Sequence, residues 1–141
     1  MIVMPQRIVL DTRVLYAGLF SKNGASYAIL DAIERGGLRI VLSTPLVFEY
    51  EEVLRRNQEV LGLSDRALED VLDDLCARGE SHSVYFLWRP HLPDPEDDHL
   101  LELAVASGAR MIVTHNMKHF PNLAPFDVQA VTPKTMLEKL K

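Results

Sequence analysis

Short apolar segments alternate with longer stretches of helical periodicity along this chain, and this alternation restricts its fold more than any other feature. The apolar segments predict five strands, at Arg7 to Leu10, Ile40 to Leu42, Val84 to Leu87, Met111 to Val113 and Val128 to Val131. The intervening stretches predict helices at Val14 to Leu19, Ser26 to Arg35, Pro45 to Gln58, Ser64 to Arg78, Asp97 to Ser107 and Pro133 to Leu140. Such alternation favours an α/β fold, in which helices cover both faces of a mostly parallel sheet.

Several helix ends carry signals of their own. Thr44 and Thr132 each precede a proline, the pattern of an N-cap followed by proline at the first helical position. Gly36, Gly79 and Gly108 fall where helices are expected to stop. With 141 residues the chain is predicted to form one domain, residues 1–141.

Composition excludes several classes of protein. Hydrophobic residues make up 48% and charged residues 25%, as is typical of folded soluble proteins. No apolar run approaches the roughly 20 residues that cross a bilayer, and Met1 to Gln6 lacks the layout of a secretory signal, so we expect a cytoplasmic protein without a membrane partner. The single cysteine, Cys76, cannot form an internal disulfide and is predicted to be a small core residue. The net charge of −5 disfavours broad adhesion to phosphates but does not exclude RNA, because bound divalent ions restore positive charge locally.

Asp11 ends the first predicted strand. In parallel α/β sheets, ligands bind beyond the carboxyl ends of the strands, where the strand order reverses. Aspartate is also a common helix N-cap, so Asp11 alone is equally well interpreted as a cap or as a functional carboxylate. Thr114, His115 and Asn116 follow the fourth predicted strand and are expected at the same edge of the sheet.

Two other acidic positions stand out. Glu49 lies at the border of the apolar face of its predicted helix, where a carboxylate either extends to solvent or needs compensation, for example by a metal. Asp94 to Asp98 holds four acids in five residues. Asp94 is expected to cap a helix, and acids suit the first turn, whereas Asp98 lies at the far end of that turn. We therefore assign Asp98 to chemistry, with Asp97 next.

Together Asp11, Glu49 and Asp98 supply oxygen ligands from three separate elements. Hard oxygen ligands suit Mg²⁺ or Mn²⁺, which bind phosphates, whereas zinc favours nitrogen and sulfur. The five histidines have no zinc-type cysteine companions. A zinc hydrolase is therefore disfavoured, although His115 and His119 would share one face of a helix.

Four segments, taken in order, resemble the motifs of PIN domains. Arg7 to Leu15, with its Asp-Thr pair, resembles their opening strand, and Ser43 to Leu54 resembles their second acidic helix. Asp94 to Ala104 resembles the third acidic motif, and Val113 to Phe120 resembles the fourth. Each motif alone is weak, but four in the right order are specific, and the nearest subgroup is the VapC-like toxins of toxin–antitoxin systems.

The resemblance implies a PIN-like three-layer α/β/α fold around a mostly parallel five-stranded sheet. It also implies an Mg²⁺- or Mn²⁺-dependent endoribonuclease, frequent homodimers and often an antitoxin partner. By the resemblance, the catalytic carboxylates are Asp11, Glu49 and Asp98. The metal set adds Asp97 and Asn116, and the substrate-binding set is Thr12, Arg13, Thr114 and His115.

Two departures from the family pattern affect the site. Arg13 stands where the family usually has asparagine, and it can pair with an acid or contact phosphate but cannot accept hydrogen bonds. Asn116 and His119 stand at positions often held by acids, so an uncharged amide oxygen replaces one carboxylate.

These departures leave alternatives open. The first is a PIN-fold module that binds RNA or a protein without cleavage. The second is another small phosphatase or nucleotide-handling α/β enzyme, which is disfavoured because the chain has no glycine-rich phosphate loop.

Overall fold

A parallel five-stranded sheet organises the molecule, as a computed structural model that describes residues 4–84 and 91–141 shows. The strands are β1 (Gln6–Leu10), β2 (Leu38–Leu42), β3 (Glu80–Ser81), β4 (Met111–Val113) and β5 (Gln129–Val131). Their spatial order is β3-β2-β1-β4-β5, and each pairing among them is parallel. The order reverses between β1 and β4, which places the expected binding crevice there.

Helices occupy the connections between the strands. They are α1 (Thr12–Phe20), α2 (Ala25–Glu34), α3 (Thr44–Arg56), α4 (Gln58–Leu61), α5 (Asp65–Arg78), α6 (Asp98–Ser107) and α7 (Pro133–Lys139). Short 3₁₀ turns lie at Pro95–Asp97, Met117–His119 and Ala124–Phe126. No helix in the described part of the chain combines the length and apolarity that a membrane crossing needs.

Both faces of the sheet are covered. Ile8, Val9 and Leu10 are consecutive in β1 and each is 0% exposed. Because successive side chains of a strand point to opposite faces, this run requires packing on both sides. The α/β prediction with a five-stranded sheet between helices is therefore confirmed.

Close packing of α1 against α2 depends on Gly18. A Cβ added at Gly18 would lie 2.6 Å from Leu30 Cδ1 and 2.9 Å from the carbonyl oxygen of Ser26. Any side chain at this position would push the helices apart. The glycine thereby allows α1 to pack closely against α2.

One of the five strands, β3, differs from the prediction. The prediction placed it at Val84 to Leu87, but Val84 is not in a strand and residues 85–87 lie outside the described ranges. The strand that pairs with β2 is Glu80–Ser81, in register with Val41 and Leu42. Two polar residues give no apolar pattern, so only pairing with β2 reveals this strand.

Two local predictions were wrong and others were confirmed. The cap of α3 is Ser43, not Thr44, because the helix begins one residue earlier and the Ser43 hydroxyl accepts from the Leu46 amide at 3.3 Å. Thr132 caps α7 as predicted. Cys76 is exposed rather than buried, since α5 turns Leu75 inward and its neighbour outward.

Candidate active site

Asp11 acts as a helix cap and also faces the crevice. Its side chain is almost completely buried, and its amide donates to the carbonyl of Val113 at 3.0 Å, which joins the ends of β1 and β4. One carboxylate oxygen accepts from the Arg13 amide at 3.4 Å, which is the cap of α1. The other accepts from the Thr114 hydroxyl at 2.7 Å. The two interpretations of Asp11 are therefore compatible.

Glu49 projects from α3 towards Asp11 and is held from two sides. The Thr12 hydroxyl donates to one of its oxygens, and His99 Nε2 lies 3.5 Å from the other. Burial alone would raise the pKa of Glu49, but the hydrogen bonds from His99 and Thr12, with the charges of His99 and Arg13, outweigh it and lower this pKa. Glu49 is thus kept as a charged carboxylate at the crevice.

Tyr50, the neighbour of Glu49, fixes α3 against the sheet. Its ring is buried, and its hydroxyl donates to the carbonyl of Leu10 at 2.6 Å. Burial raises the pKa of Tyr50 well above its ordinary value, and the negative charges of Asp11 and Glu49 raise it further. The end of β1 is therefore a region of negative potential.

Asp97 and Asp98 point to different surroundings. Asp98 is 1% exposed and accepts from the amides of His91 and Leu92, at 3.2 and 2.8 Å. Asp97 lines the crevice instead, with its Oδ2 atom 3.3 Å from His119 Nδ1. The structure thus brings Asp97, not Asp98, together with Asp11 and Glu49.

The surroundings of Asp97 disfavour its charge. Burial raises the pKa of Asp97, and the charges of Asp11 and Asp94 add to this rise, while Arg13 and His119 oppose it. Its Oδ2 atom is buried and makes no hydrogen bond of good geometry within the described ranges. This carboxylate therefore has unused capacity for a cation.

The crevice is a cavity of about 750 Å³ that, among the described residues, the carboxylates share with two arginines and a histidine. The residues that define its chemistry are Asp11, Thr12, Arg13, Glu49, Asp97 and His99. Arg13 lies among the acids, with Nη1 3.4 Å from Asp11 Oδ2. The predicted site residues Asp11, Thr12, Arg13, Glu49 and Asp97 are thus brought together.

The remaining predicted site residues lie behind or beside the cavity. Thr114 is fully buried and contacts it only through Asp11. Asn116 Nδ2 lies 3.0 Å from His119 Nε2, so its link to Asp97 runs through that ring. His115 lines a separate cleft, where its Nε2 lies 2.8 Å from the Ser26 hydroxyl.

Two histidines that sequence reasoning considered only as zinc candidates or as replacements for acids support the acidic cavity. His99 contacts Glu49, and His119 contacts Asp97. Their positions gave a signal: His99 directly follows Asp98, and His119 lies within the fourth motif, just before Phe120. Each imidazole orients a carboxylate, a common arrangement around metal ligands.

The residues of the cavity fit a divalent cation by their chemistry. Their donors are carboxylate oxygens, which suit Mg²⁺ or Mn²⁺, and Asp97 offers a buried oxygen without a good hydrogen bond. Within residues 4–84 and 91–141, however, no group of three or more His, Cys, Asp and Glu side chains is already arranged around one point as a metal site. Side chains would have to turn towards a common centre when an ion binds.

Comparison with known proteins places this geometry in a family. A family model for the PIN domain matches residues 7–118. A search of curated proteins finds no match. The fold is similar to a chain of VapBC2 from Rickettsia felis, solved with a DNA fragment from their promoter (TM-score 0.58, 14% identity, covering 89% of this chain and 98% of that chain). It is also similar to PAE2754 from Pyrobaculum aerophilum (TM-score 0.60, 20% identity, covering 97% and 90%).

The two structural likenesses establish the fold, and the family model covers the first, second and third acidic segments together with the start of the fourth. Asp11, Glu49 and Asp97 all lie inside the matched range. The chain therefore belongs to the PIN domain family, whose members are generally nucleases.

Proposed function

We propose that this protein is an endoribonuclease that depends on Mg²⁺ or Mn²⁺. The observation that carries the proposal is the meeting of Asp11, Glu49 and Asp97, from three separate elements, in one cavity beyond the ends of β1 and β4. That location is the reversal of strand order, where ligands of parallel sheets bind. Oxygen-only ligands at such a place suit a cation that binds phosphate.

Each side chain has an assigned task. Asp11, Glu49 and Asp97 hold the cation, while Thr114, Thr12 and His119 orient them. When bound, the cation supplies activation of water near neutral pH and neutralises charge that develops on the phosphate.

The phosphate contact belongs to Arg13. Arg13 presents five N–H donors in a planar fork, which matches the oxygens of a phosphodiester. Asp98 takes a structural role in this proposal, since its carboxylate is already engaged by two backbone amides.

Substitution of Asp11 tests the enzyme proposal. Purified protein is incubated with mixed structured and single-stranded RNAs in Mn²⁺, in Mg²⁺ and in EDTA, beside Asp11→Asn. We expect metal-dependent cleavage that falls by at least about 100-fold in the variant, since even outer partners of metal ligands contribute 10- to 100-fold. Equal cleavage by both proteins would refute the assigned site.

A second candidate function is an RNA-binding module without cleavage. The ion pair between Arg13 and Asp11 favours it, because a positive charge already stands among the acids. The same assay separates the two functions: RNA retained on the protein without any cleavage, in either metal, identifies the binding module.

The cellular role we assign is that of the toxin in a toxin–antitoxin pair, in the cytoplasm. The support is the PIN family membership together with the likeness to VapBC2. Expression of the gene alone should arrest growth, and co-expression of a short neighbouring gene should relieve the arrest. A homodimer is part of the proposal, and analytical ultracentrifugation of the purified protein tests it.

A further inference from the structure

Arg13 has a side chain that is only weakly held at the acidic cavity. It lies in the first turn of α1, and its guanidinium is about half exposed, at 47%. Within the described residues, its side chain makes a single hydrogen bond, from Nη1 to Asp11 Oδ2 at 3.4 Å. Charge-assisted bonds of this kind are usually about 2.7–2.9 Å long. The contact is therefore loose and leaves most of the N–H donors free.

The guanidinium of Arg13 acts on the three carboxylates that are assigned to the cation. Besides its contact with Asp11, its charge lowers the pKa of Glu49 and opposes the rise in the pKa of Asp97. A positive charge that contacts Asp11 and favours the charged forms of Glu49 and Asp97 lies in the negative potential that would attract a cation. The positive charge of Arg13 therefore opposes the entry of a divalent cation.

Arg56 provides the contrast within the same cavity. It also lines the cavity, but it pairs with Glu52 one helical turn away, at 3.6 Å, on the outer face of α3. That pair is balanced within itself and is largely exposed to solvent. Of the two arginines that line this cavity in the described part of the chain, only Arg13 pairs with an acid assigned to metal binding.

We propose that Arg13 is a resident counter-ion, which neutralises the acidic cavity in the metal-free protein and which a divalent cation must displace in order to bind. The inference rests on the proposed function, because it assumes that Asp11, Glu49 and Asp97 bind the cation. Displacement frees the guanidinium for the phosphate contact assigned to it above. An uncharged side chain at this position would not compete in this way.

Titration of Mn²⁺ into the metal-free protein tests the inference without any cleavage assay. Isothermal titration calorimetry compares wild type, Arg13→Gln and the matched control Arg56→Gln at one ionic strength. Because a charge within 4–6 Å shifts the proton affinity of an acid by about 10-fold or more, we expect Arg13→Gln to bind Mn²⁺ about 10-fold more tightly. Arg56→Gln should stay within about 2-fold of wild type, as exposed pairs contribute little.

Thermal unfolding in EDTA supplies the second readout. Loss of the counter-ion should lower the Tm of Arg13→Gln below that of wild type, and saturating Mn²⁺ should raise it by more than it raises the wild-type value. Arg56→Gln should show neither change.

The outcomes separate this inference from the proposed function. Equal or weaker Mn²⁺ binding by Arg13→Gln than by wild type overturns the counter-ion role and leaves the metal site standing. Binding by the variant alone supports the inference strongly. Absence of Mn²⁺ binding by both proteins overturns the metal site and the inference together.

Discussion

Two clusters of charged side chains are held very differently by this fold. Near the start of β1, Arg7 donates twice to Glu80, at 2.5 and 3.2 Å, and His82 Nε2 lies 2.5 Å from the same carboxylate. Hydrogen bonds from Arg7 and His82 lower the pKa of Glu80. At the carboxyl ends of the strands, three carboxylates share Arg13, and burial raises the pKa of Asp97.

The difference concerns charge balance. In the first cluster, the single acid Glu80 has two close basic partners, Arg7 and His82. The cluster joins β3 to β1, and its charge is balanced without a bound ion. In the second, the three acids assigned to the cation share one loosely held guanidinium, that of Arg13. A surplus of carboxylates at the binding edge of a sheet is a site for a cation, whereas a balanced cluster is a structural tie.

The largest effect is expected at Asp97. Asp97→Asn should lower Mn²⁺ affinity by at least about 100-fold, because the cavity loses a ligand charge and not merely an orienting group. Calorimetric titration of folded protein measures it. Asp98→Asn is the matched neighbour and should change the affinity by less than about 3-fold. The reverse ranking would return the metal-binding role to Asp98, as the sequence alone predicted.

Asp98 should matter for stability instead. Asp98→Ala removes the acceptor of two backbone amides, one of them the amide of buried Leu92. We expect a loss of about 2–3 kcal/mol in the free energy of unfolding, since hydrogen bonds to charged groups contribute about 1.5–3 kcal/mol and the Leu92 amide would remain buried without an acceptor. Urea denaturation measures it, with Asp94→Ala as the control, which loses only a cap of about 1 kcal/mol. Equal losses of stability in Asp98→Ala and Asp94→Ala would contradict this structural role of Asp98.

The balanced cluster should respond as a structural tie. Arg7→Gln removes the two bonds to Glu80 and the bond to the Ser107 carbonyl, which is 2.6 Å long. We expect about 1–2 kcal/mol of lost stability and unchanged Mn²⁺ affinity, measured by denaturation and calorimetry. Arg39→Gln, whose guanidinium lies 3.8 Å from the same carboxylate, should cost less than about 0.5 kcal/mol. A change in the Mn²⁺ affinity of Arg7→Gln would contradict the purely structural role of the cluster around Glu80.

The smallest effect concerns pH. The pKa of Glu80 is lowered from its ordinary value of 4.5, so the native protein binds fewer protons than the unfolded chain just below that pH. Its contribution to stability is therefore present above 4.5 and is lost as the pH falls through the lowered pKa. Glu80→Gln should reduce the stability lost on acidification by less than about 1 kcal/mol, because the pair of Arg7 and Glu80 is partly exposed. Urea midpoints are measured across the acid range for both proteins. If the two sets of midpoints fall in parallel as the pH is lowered, Glu80 is not the source of this pH dependence.

Much of the fold could be predicted from local patterns. The four apolar strands β1, β2, β4 and β5 and the six long helices follow from periodicity and length, because their buried faces need contiguous or regularly spaced apolar side chains. β3 could not be found in this way, since its two residues are polar and only their pairing with Val41 and Leu42 makes them a strand. Cys76 was assigned to the core wrongly because its exposure depends on the rotation of α5 by one residue.

The sequence by itself determined that Asp11 ends a buried strand, that Glu49 lies on a helix with one apolar face and that acids cluster before α6. Strand ends and helical faces are local properties, so these placements follow from residue order. Only the tertiary structure decided that Asp97 faces the cavity while Asp98 binds backbone amides of His91 and Leu92, and that Arg13 lies among the acids. Asp97 is paired with His119, which follows β4, and the acids around Arg13 come from separate elements, so both placements exist only once the sheet, α3 and α6 have packed together.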